Sequence, residues 1–87
     1  MQVIYKYLAN IGDITTLMLP KEAKILNVQK QGQHICFWAL HSSEATLIES
    51  KRILRVGTGY PFDDTKEYQY IGTVQEGSLV WHYFEVR

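Results

Sequence analysis

The 87-residue sequence has little of what defines several classes of protein. Its single cysteine excludes an internal disulfide, which fits a reducing compartment. Its longest uninterrupted apolar run, Ile35–Leu40, is far too short to cross a membrane as a helix. The chain also begins without a basic stretch followed by a long apolar segment, so we expect no signal peptide. These absences predict a cytoplasmic protein that makes no use of a membrane.

The charges balance, with nine Lys and Arg residues against nine Asp and Glu residues. A neutral chain has no general attraction for nucleic acid, because useful affinity requires that several phosphates be neutralised. Tyrosines on predicted strands could stack bases beside arginines, but packing within and across strands explains these side chains more simply. These tyrosines are Tyr5, Tyr7, Tyr68, Tyr70 and Tyr83. The sequence therefore argues against a nucleic-acid partner.

Alternating and continuous apolar patterns predict about seven short strands. They are Val3–Leu8, Ile14–Leu19, Lys24–Lys30, Gln33–His41, Lys51–Val56, Tyr68–Gln75 and Ser78–Val86. Gly32 and the pair Glu76-Gly77 mark hairpin turns. A single short helix within residues 42–52 or near 20–24 would change the fold to α+β. The sequence thus predicts one domain, residues 1–87, that is a small and mainly antiparallel β-sandwich or barrel.

Two predicted strands, Gln33–His41 and Ser78–Val86, are apolar on both faces. A strand with one solvated face would alternate, so we expect both of these strands to be covered twice. A domain of this size has few layers with which to cover them, and surplus apolar surface of this kind favours a protein partner or a second copy of the chain. The residues predicted for such an interface are Trp81, Tyr83, Arg52 and Arg55.

No residue pattern predicts an enzyme or a cofactor site. His34 and Cys36 lie two residues apart on one strand, but a structural zinc site needs four ligands and the chain has no second cysteine. Cys36 lies inside a core strand, where thiols are usually inert, and no nucleophile lies in a recognisable elbow. We therefore expect no catalytic residue, no metal ion and no cofactor.

The longest irregular segment, residues 57–64, is the candidate binding loop. Its glycines follow a strand, as they do in phosphate-binding loops, but neither a Lys-Ser/Thr pair nor a helix follows them. The aromatic side chains of the segment would instead form one wall of a pocket for a small ligand or a nucleotide signal. The candidate loop residues are Gly57, Thr58, Gly59, Tyr60, Phe62, Asp63 and Asp64.

Several short segments of the sequence together resemble those of a family of small uncharacterised proteins of tailed phages and bacterial genomes. They are Ala23–Gln29, Cys36–Leu40, Val56–Pro61, Tyr70–Gln75 and Leu79–Val86. The resemblance covers nearly the whole chain and implies no assigned activity. In that family a histidine often follows the Gly-Thr-Gly phrase, where this chain has Tyr60. What the resemblance implies is a setting, the cytoplasm of a host cell, and a host protein as partner.

These observations favour a non-enzymatic binding protein. By analogy with other short phage proteins, the leading hypothesis is an inhibitor of a host defence complex, such as an anti-CRISPR protein, that acts by protein–protein binding. The alternatives are a protein that binds a small ligand or nucleotide signal, and an accessory protein of the virion or its assembly.

Overall fold

Seven strands and no helix form the protein, which is described by a computed structural model of all residues, 1–87. The strands are β1 (Gln2–Leu8), β2 (Ile14–Pro20), β3 (Lys24–Gln31), β4 (His34–Ser42), β5 (Ile48–Gly57), β6 (Tyr68–Glu76) and β7 (Leu79–Val86). They build a three-stranded sheet in the order β1-β4-β3 and a four-stranded sheet in the order β2-β5-β7-β6. Every paired strand is antiparallel, so the prediction of a small, mainly β, sandwich-like fold is confirmed.

The two segments where a helix was an alternative contain none. Residues 42–52 hold a turn and then the first half of β5, which begins at Ile48, three residues before the predicted start. Residues 20–24 form a tight turn in which Glu22 has a φ of 68°. A non-glycine residue in that left-handed region occurs in single-residue turns and not in right-handed helices. The α+β alternative is therefore wrong.

The core lies between the two sheets and follows from the two-residue period of the strands. In β2, Thr15, Leu17 and Leu19 are buried while the residues between them are exposed. Phe37 of β4 is fully buried, and its ring meets the ring of Tyr83 edge to face with centroids 5.6 Å apart. The buried cluster around it comprises Leu17, Leu19, Ala23, Val28, Phe37, Ala39, Ile53, Val74 and Tyr83.

The two central strands are less covered than the sequence predicts. On the outer face of β4, Cys36 is buried, but Trp38 and Leu40 are only half-buried. On the outer face of β7, His82 and Phe84 are half-buried as well. Only two layers exist, so these outer faces are shielded by neighbouring side chains and, at Phe84, by Phe62 from the segment between β5 and β6. The expectation of complete cover on both faces is wrong.

The sheets approach each other most closely where β3 meets β6. Both strands carry an irregularity there: the β3–β4 register shifts between Ile25 and Asn27, and the β6–β7 register shifts between Tyr70 and Gly72. A Cβ atom on Gly72 would lie 2.9 Å from Cγ1 of Val28, closer than such atoms normally come. The glycine therefore permits the contact between the sheets.

Candidate ligand groove

A groove forms where β5 continues past the beginning of its neighbour β2. The last β2–β5 pair in that direction is Ile14 with Leu54, and the backbone N–H of Arg55 still donates to the carbonyl oxygen of Asp13, 2.8 Å away. Beyond this point, residues 55–57 still pair with β7 on one side but have no strand on the side where β2 lay. The sheet thus leaves an empty strand position that is bordered by the turn before β2 and by the segment after β5.

The groove has a volume of about 670 Å³ and an aromatic and aliphatic lining with few charges. This volume falls within the usual range for sites that bind small molecules, about 300–1,000 Å³. The lining residues are Asp13, Leu54, Arg55, Val56, Gly57, Thr58, Tyr60, Pro61, Phe62, Ser78, Leu79, Val80 and Trp81. The cavity is therefore lined by the candidate loop, the last residues of β5 and the first residues of β7.

The backbone at Gly57 holds the ring of Tyr60 against the strand. The N–H of Tyr60 donates to the carbonyl oxygen of Gly57, which folds the chain back in a tight turn. A Cβ atom on Gly57 would lie 3.0 Å from Cδ2 of Tyr60 and 3.3 Å from Cζ3 of Trp81. Only glycine lets both rings rest on this strand, and both rings belong to the lining of the groove.

Arg55 is the one cation of the groove. Its guanidinium carbon lies 3.9 Å from the centre of the Trp81 ring, and its Nη2 donates to Oδ1 of Asp13 at 3.0 Å. This position suits a cation–π contact. Asp13 offsets the positive charge, so the groove does not present a strong field to an anion. The Nε of Arg55 and the Nε1 of Trp81 are buried and make no hydrogen bond.

Tyr83 lies behind the groove and beside Arg55. Burial raises the pKa of its hydroxyl above the ordinary value of 10.0, and the charge of Glu76 acts in the same direction, while Arg55 opposes the shift. The hydroxyl is therefore neutral at physiological pH. Tyr83 is only 3% exposed. The sequence analysis places Tyr83 at a protein interface; in the structure its side chain completes the core between the sheets and presents little surface.

A hydrogen-bonded chain of side chains on the outer face of the four-stranded sheet fixes the start of the loop. Thr58 Oγ1 lies 2.7 Å from Nε2 of His82, and Nδ1 of the same ring lies 3.0 Å from Thr73 Oγ1. The Tyr70 hydroxyl lies 2.6 Å from Thr73 Oγ1. Each nitrogen of the His82 ring is thus paired with a threonine hydroxyl, and these contacts position Thr58 at the start of the loop.

An aromatic cluster fixes the middle of the same segment. Phe62 stacks on Phe84 with ring centroids 5.4 Å apart, and Tyr68 meets both rings edge to face. Aromatic pairs at these separations add about 0.5–1.5 kcal/mol beyond the burial of their area. The segment from β5 to β6 is therefore attached at two places, through Thr58 and through Phe62, and the residues between them span the groove.

The structure brings part of the predicted loop together with part of the predicted interface. Thr58, Tyr60 and Phe62 meet Arg55 and Trp81 at the groove. The residues that do not line the groove are Arg52, Gly59, Asp63, Asp64 and Tyr83. The sequence analysis also missed the hydrogen bonds that link Thr58, His82, Thr73 and Tyr70. These side chains come from three segments, and the sequence does not reveal how those segments pair.

Asp63 and Arg52 have other positions. The Oδ1 of Asp63 accepts hydrogen bonds from the hydroxyl and the backbone N–H of Thr65, at 2.6 and 2.9 Å. The pKa of Asp63 is lowered first by the bond from this hydroxyl and then by the bond from the N–H. Asp63 thus stabilises a turn and does not line the groove. Arg52 lies on the outer face of β5, opposite Thr16 and Val86.

No group of three or more His, Cys, Asp or Glu side chains is arranged to hold a metal ion. His34 is exposed at the start of β4, while the thiol of Cys36 is buried. The chain contains no helix long and apolar enough to cross a membrane. What the geometry offers is a preformed cavity with stacking surfaces.

The fold and the groove define a class of small two-sheet antiparallel β proteins with a cavity at one end of the larger sheet. Within that class, the chain belongs to the family described as "Domain of unknown function (DUF7352)", whose model matches residues 1–87. No curated protein and no solved structure matches the chain.

Proposed function

We propose that the protein is a non-enzymatic binding protein that holds a small ligand with a flat apolar part in the groove beside β5. The observation that carries this proposal is that the rings of Tyr60 and Trp81 both line a cavity of about 670 Å³. Flat rings stack favourably on tyrosine and tryptophan, and such stacking depends little on the identity of the base or ring.

The charges of the groove narrow the class of ligand. Arg55 is already paired with Asp13, so an isolated phosphate gains little by entering. A nucleotide signal would accordingly be held through its base, with the phosphate directed to solvent. Leu54, Val56 and Val80 supply further apolar contact for a ring system.

Nucleoside binding is expected to change the fluorescence of Trp81. In a Trp38→Phe background Trp81 is the only tryptophan, because the chain contains two and Trp38 does not line this groove. We expect a saturable change with at least one of adenosine, guanosine, cytidine and uridine. Tyr60→Ala should weaken that binding by about 1–3 kcal/mol, or roughly 5- to 150-fold, because one stacking surface is lost.

Tyr5→Ala is the matched control, since Tyr5 is an exposed tyrosine of β1 that does not line the groove. Its affinity should equal that of the parent protein. The corresponding monophosphates should bind about as well as the nucleosides if the base is the recognised part. A flat titration with all four nucleosides, or equal losses in the two tyrosine variants, would contradict the proposal.

A second candidate function is protein binding, and a row of apolar side chains across the four-stranded sheet favours it. The β-strand registers align Ile14, Leu54, Phe84 and Tyr70 on the outer face, one residue from each strand. Ile14 and Tyr70 are exposed. In the setting that the resemblance to phage proteins implies, the partner would be a complex of the host's defence system, and the protein would act by covering its surface.

If the second candidate is correct, expressing the protein in a bacterium with an active CRISPR system should restore plaque formation by a phage that the system targets. The reason is that an inhibitor bound to the CRISPR complex blocks its activity by binding alone, without a chemical reaction. The Phe37→Ala variant provides a control for expression without a folded surface. Unchanged plaque counts with the folded protein would count against this form of the hypothesis.

A further inference from the structure

The free edge of β2 differs from the other three edges of the two sheets. The edges at β3 and β6 carry irregularities in register and approach each other. The edge at β1 carries Lys6 near its middle, and its ammonium group reaches across to Gln31. The edge at β2 is regular over Ile14–Pro20 and has no charged residue. Bulges, charges and prolines are the devices that keep sheet edges from pairing, and β2 has only a proline at its end.

Hydrogen bonds at both ends of β2 define which backbone groups remain free. The N–H of Arg55 donates to the oxygen of Asp13, and the N–H of Lys21 donates to the oxygen of Leu47. Antiparallel ladders alternate, so the odd-numbered residues between these positions direct their N–H and C=O groups to β5. Ile14, Thr16 and Met18 therefore direct theirs away from the sheet, where no strand lies.

The side chains of these same residues lie on the outer face and are open to solvent. Ile14 is 46% exposed and Met18 is 61% exposed, with Thr16 between them. The edge thus combines unpaired backbone groups with two apolar side chains placed symmetrically about a small polar one. A second strand that lay against this edge would satisfy the backbone groups and cover both apolar side chains at once.

We propose that β2 pairs antiparallel with β2 of a second copy of the chain, about a two-fold axis that passes between the two copies of Thr16. In this register Ile14 lies opposite the partner's Met18, and Met18 lies opposite the partner's Ile14. Each of the three opposed pairs exchanges two backbone hydrogen bonds. The two four-stranded sheets become one continuous sheet of eight strands, and each copy presents the same surface to the other.

A second copy fits this edge better than an unrelated strand because the edge is complementary to itself. Its sequence around Thr16 is apolar, polar, apolar in both directions, and the uncharged strand brings no like charges together. Pro20 has no N–H and cannot continue the ladder, and the register centred on Thr16 uses each of the outward N–H groups of Ile14, Thr16 and Met18. The groove beside residues 55–57 lies past the start of β2. The second copy would pair along β2 itself, so the dimer would leave the groove open.

The test is the molar mass in solution, measured by light scattering on a size-exclusion column, for the wild type and for Thr16→Glu. The wild type should give twice the monomer mass of 10.1 kDa. Thr16→Glu should give a monomer, because two carboxylates would meet at the two-fold axis. Arg52 lies opposite residue 16 in β5, so the carboxylate has a favourable neighbour within the monomer and the variant should fold.

Two further measurements make the result specific to this register. An equal mixture of Thr16→Glu and Thr16→Lys should recover the dimer, because opposite charges then meet at the axis. Gln75→Glu, which places the same charge on the outer face of β6 at the other edge of the same sheet, should remain a dimer. In amide hydrogen exchange, the N–H groups of Ile14, Thr16 and Met18 should be protected in the wild type and exposed in Thr16→Glu.

A wild-type monomer, a Thr16→Glu dimer, or a monomeric Gln75→Glu variant would each overturn the proposal. A mixture of the two Thr16 variants that stays monomeric would overturn it as well. Protection of the three outward N–H groups in a protein of monomer mass would show that a different segment covers the edge, and would equally exclude the pairing of two copies.

Discussion

Phe37→Ala is expected to lower the free energy of unfolding by about 3–5 kcal/mol. The side chain is fully buried at the centre of β4, and its ring contacts Tyr83 of the opposite sheet. Removing the ring leaves a cavity between two sheets that are already fixed by their hydrogen bonds. A small domain has only about 5–15 kcal/mol to lose, so a large part of the population should be unfolded at physiological temperature.

Urea denaturation followed by circular dichroism measures this effect. Phe62→Ala is the control, because Phe62 is 45% exposed and removing its ring leaves a surface site that water can fill. It should cost about 1 kcal/mol, the loss of its aromatic contacts. If the two variants lost equal amounts of unfolding free energy, Phe37 would not lie in the hydrophobic core as the structure shows.

Gly72→Ala is expected to lower the free energy of unfolding by about 1–3 kcal/mol. Replacing a glycine by alanine at a compatible position usually raises this free energy instead. The new methyl group would lie 2.9 Å from Cγ1 of Val28 and 3.4 Å from Oδ1 of Asn27. One of the sheets must shift to admit it, because the contact joins β6 to β3 across the domain. The result measures how strongly that contact holds the two sheets together.

A double-mutant cycle with Val28→Ala separates this clash from a general weakening of β6. Val28→Ala alone should be destabilising, because Val28 is buried. The two changes together should cost less than the sum of the two, since the second removes the atom that the first would strike. Strictly additive losses would locate the effect of Gly72→Ala somewhere other than at Val28.

Much of the fold could be predicted from the sequence, because strand period and turn chemistry are local. The alternation in β2 and the polar gap at Gly32, which has a φ of 60°, correspond directly to a strand and a hairpin turn. The division into sheets could not be predicted, since nothing local in β1 or β2 shows that these consecutive strands belong to different sheets. The prediction of doubly covered strands was wrong for the same reason, because cover depends on how many layers form.

The groove could be predicted only in part. Its loop was identified from irregular sequence, but the cavity exists because β2 stops pairing at Ile14 while β5 continues. The hydrogen-bonded chain through His82 depends on a turn of two residues, Gly77 and Ser78, where the sequence favoured the pair Glu76-Gly77. A turn displaced by one residue changes the strand register by two, and Thr73 then no longer lies opposite His82.

The thinness of the molecule has a consequence for how such a family can diverge. Two sheets and nothing else make a slab that is 17 Å thick, and only 15 of its 87 residues are buried. Substitutions at the remaining positions generally change stability little unless they disturb a turn or a close contact. The fold therefore restricts a minority of the sequence. The groove wall, the sheet faces and the outer strand can acquire new specificity from one relative to the next while the same core persists.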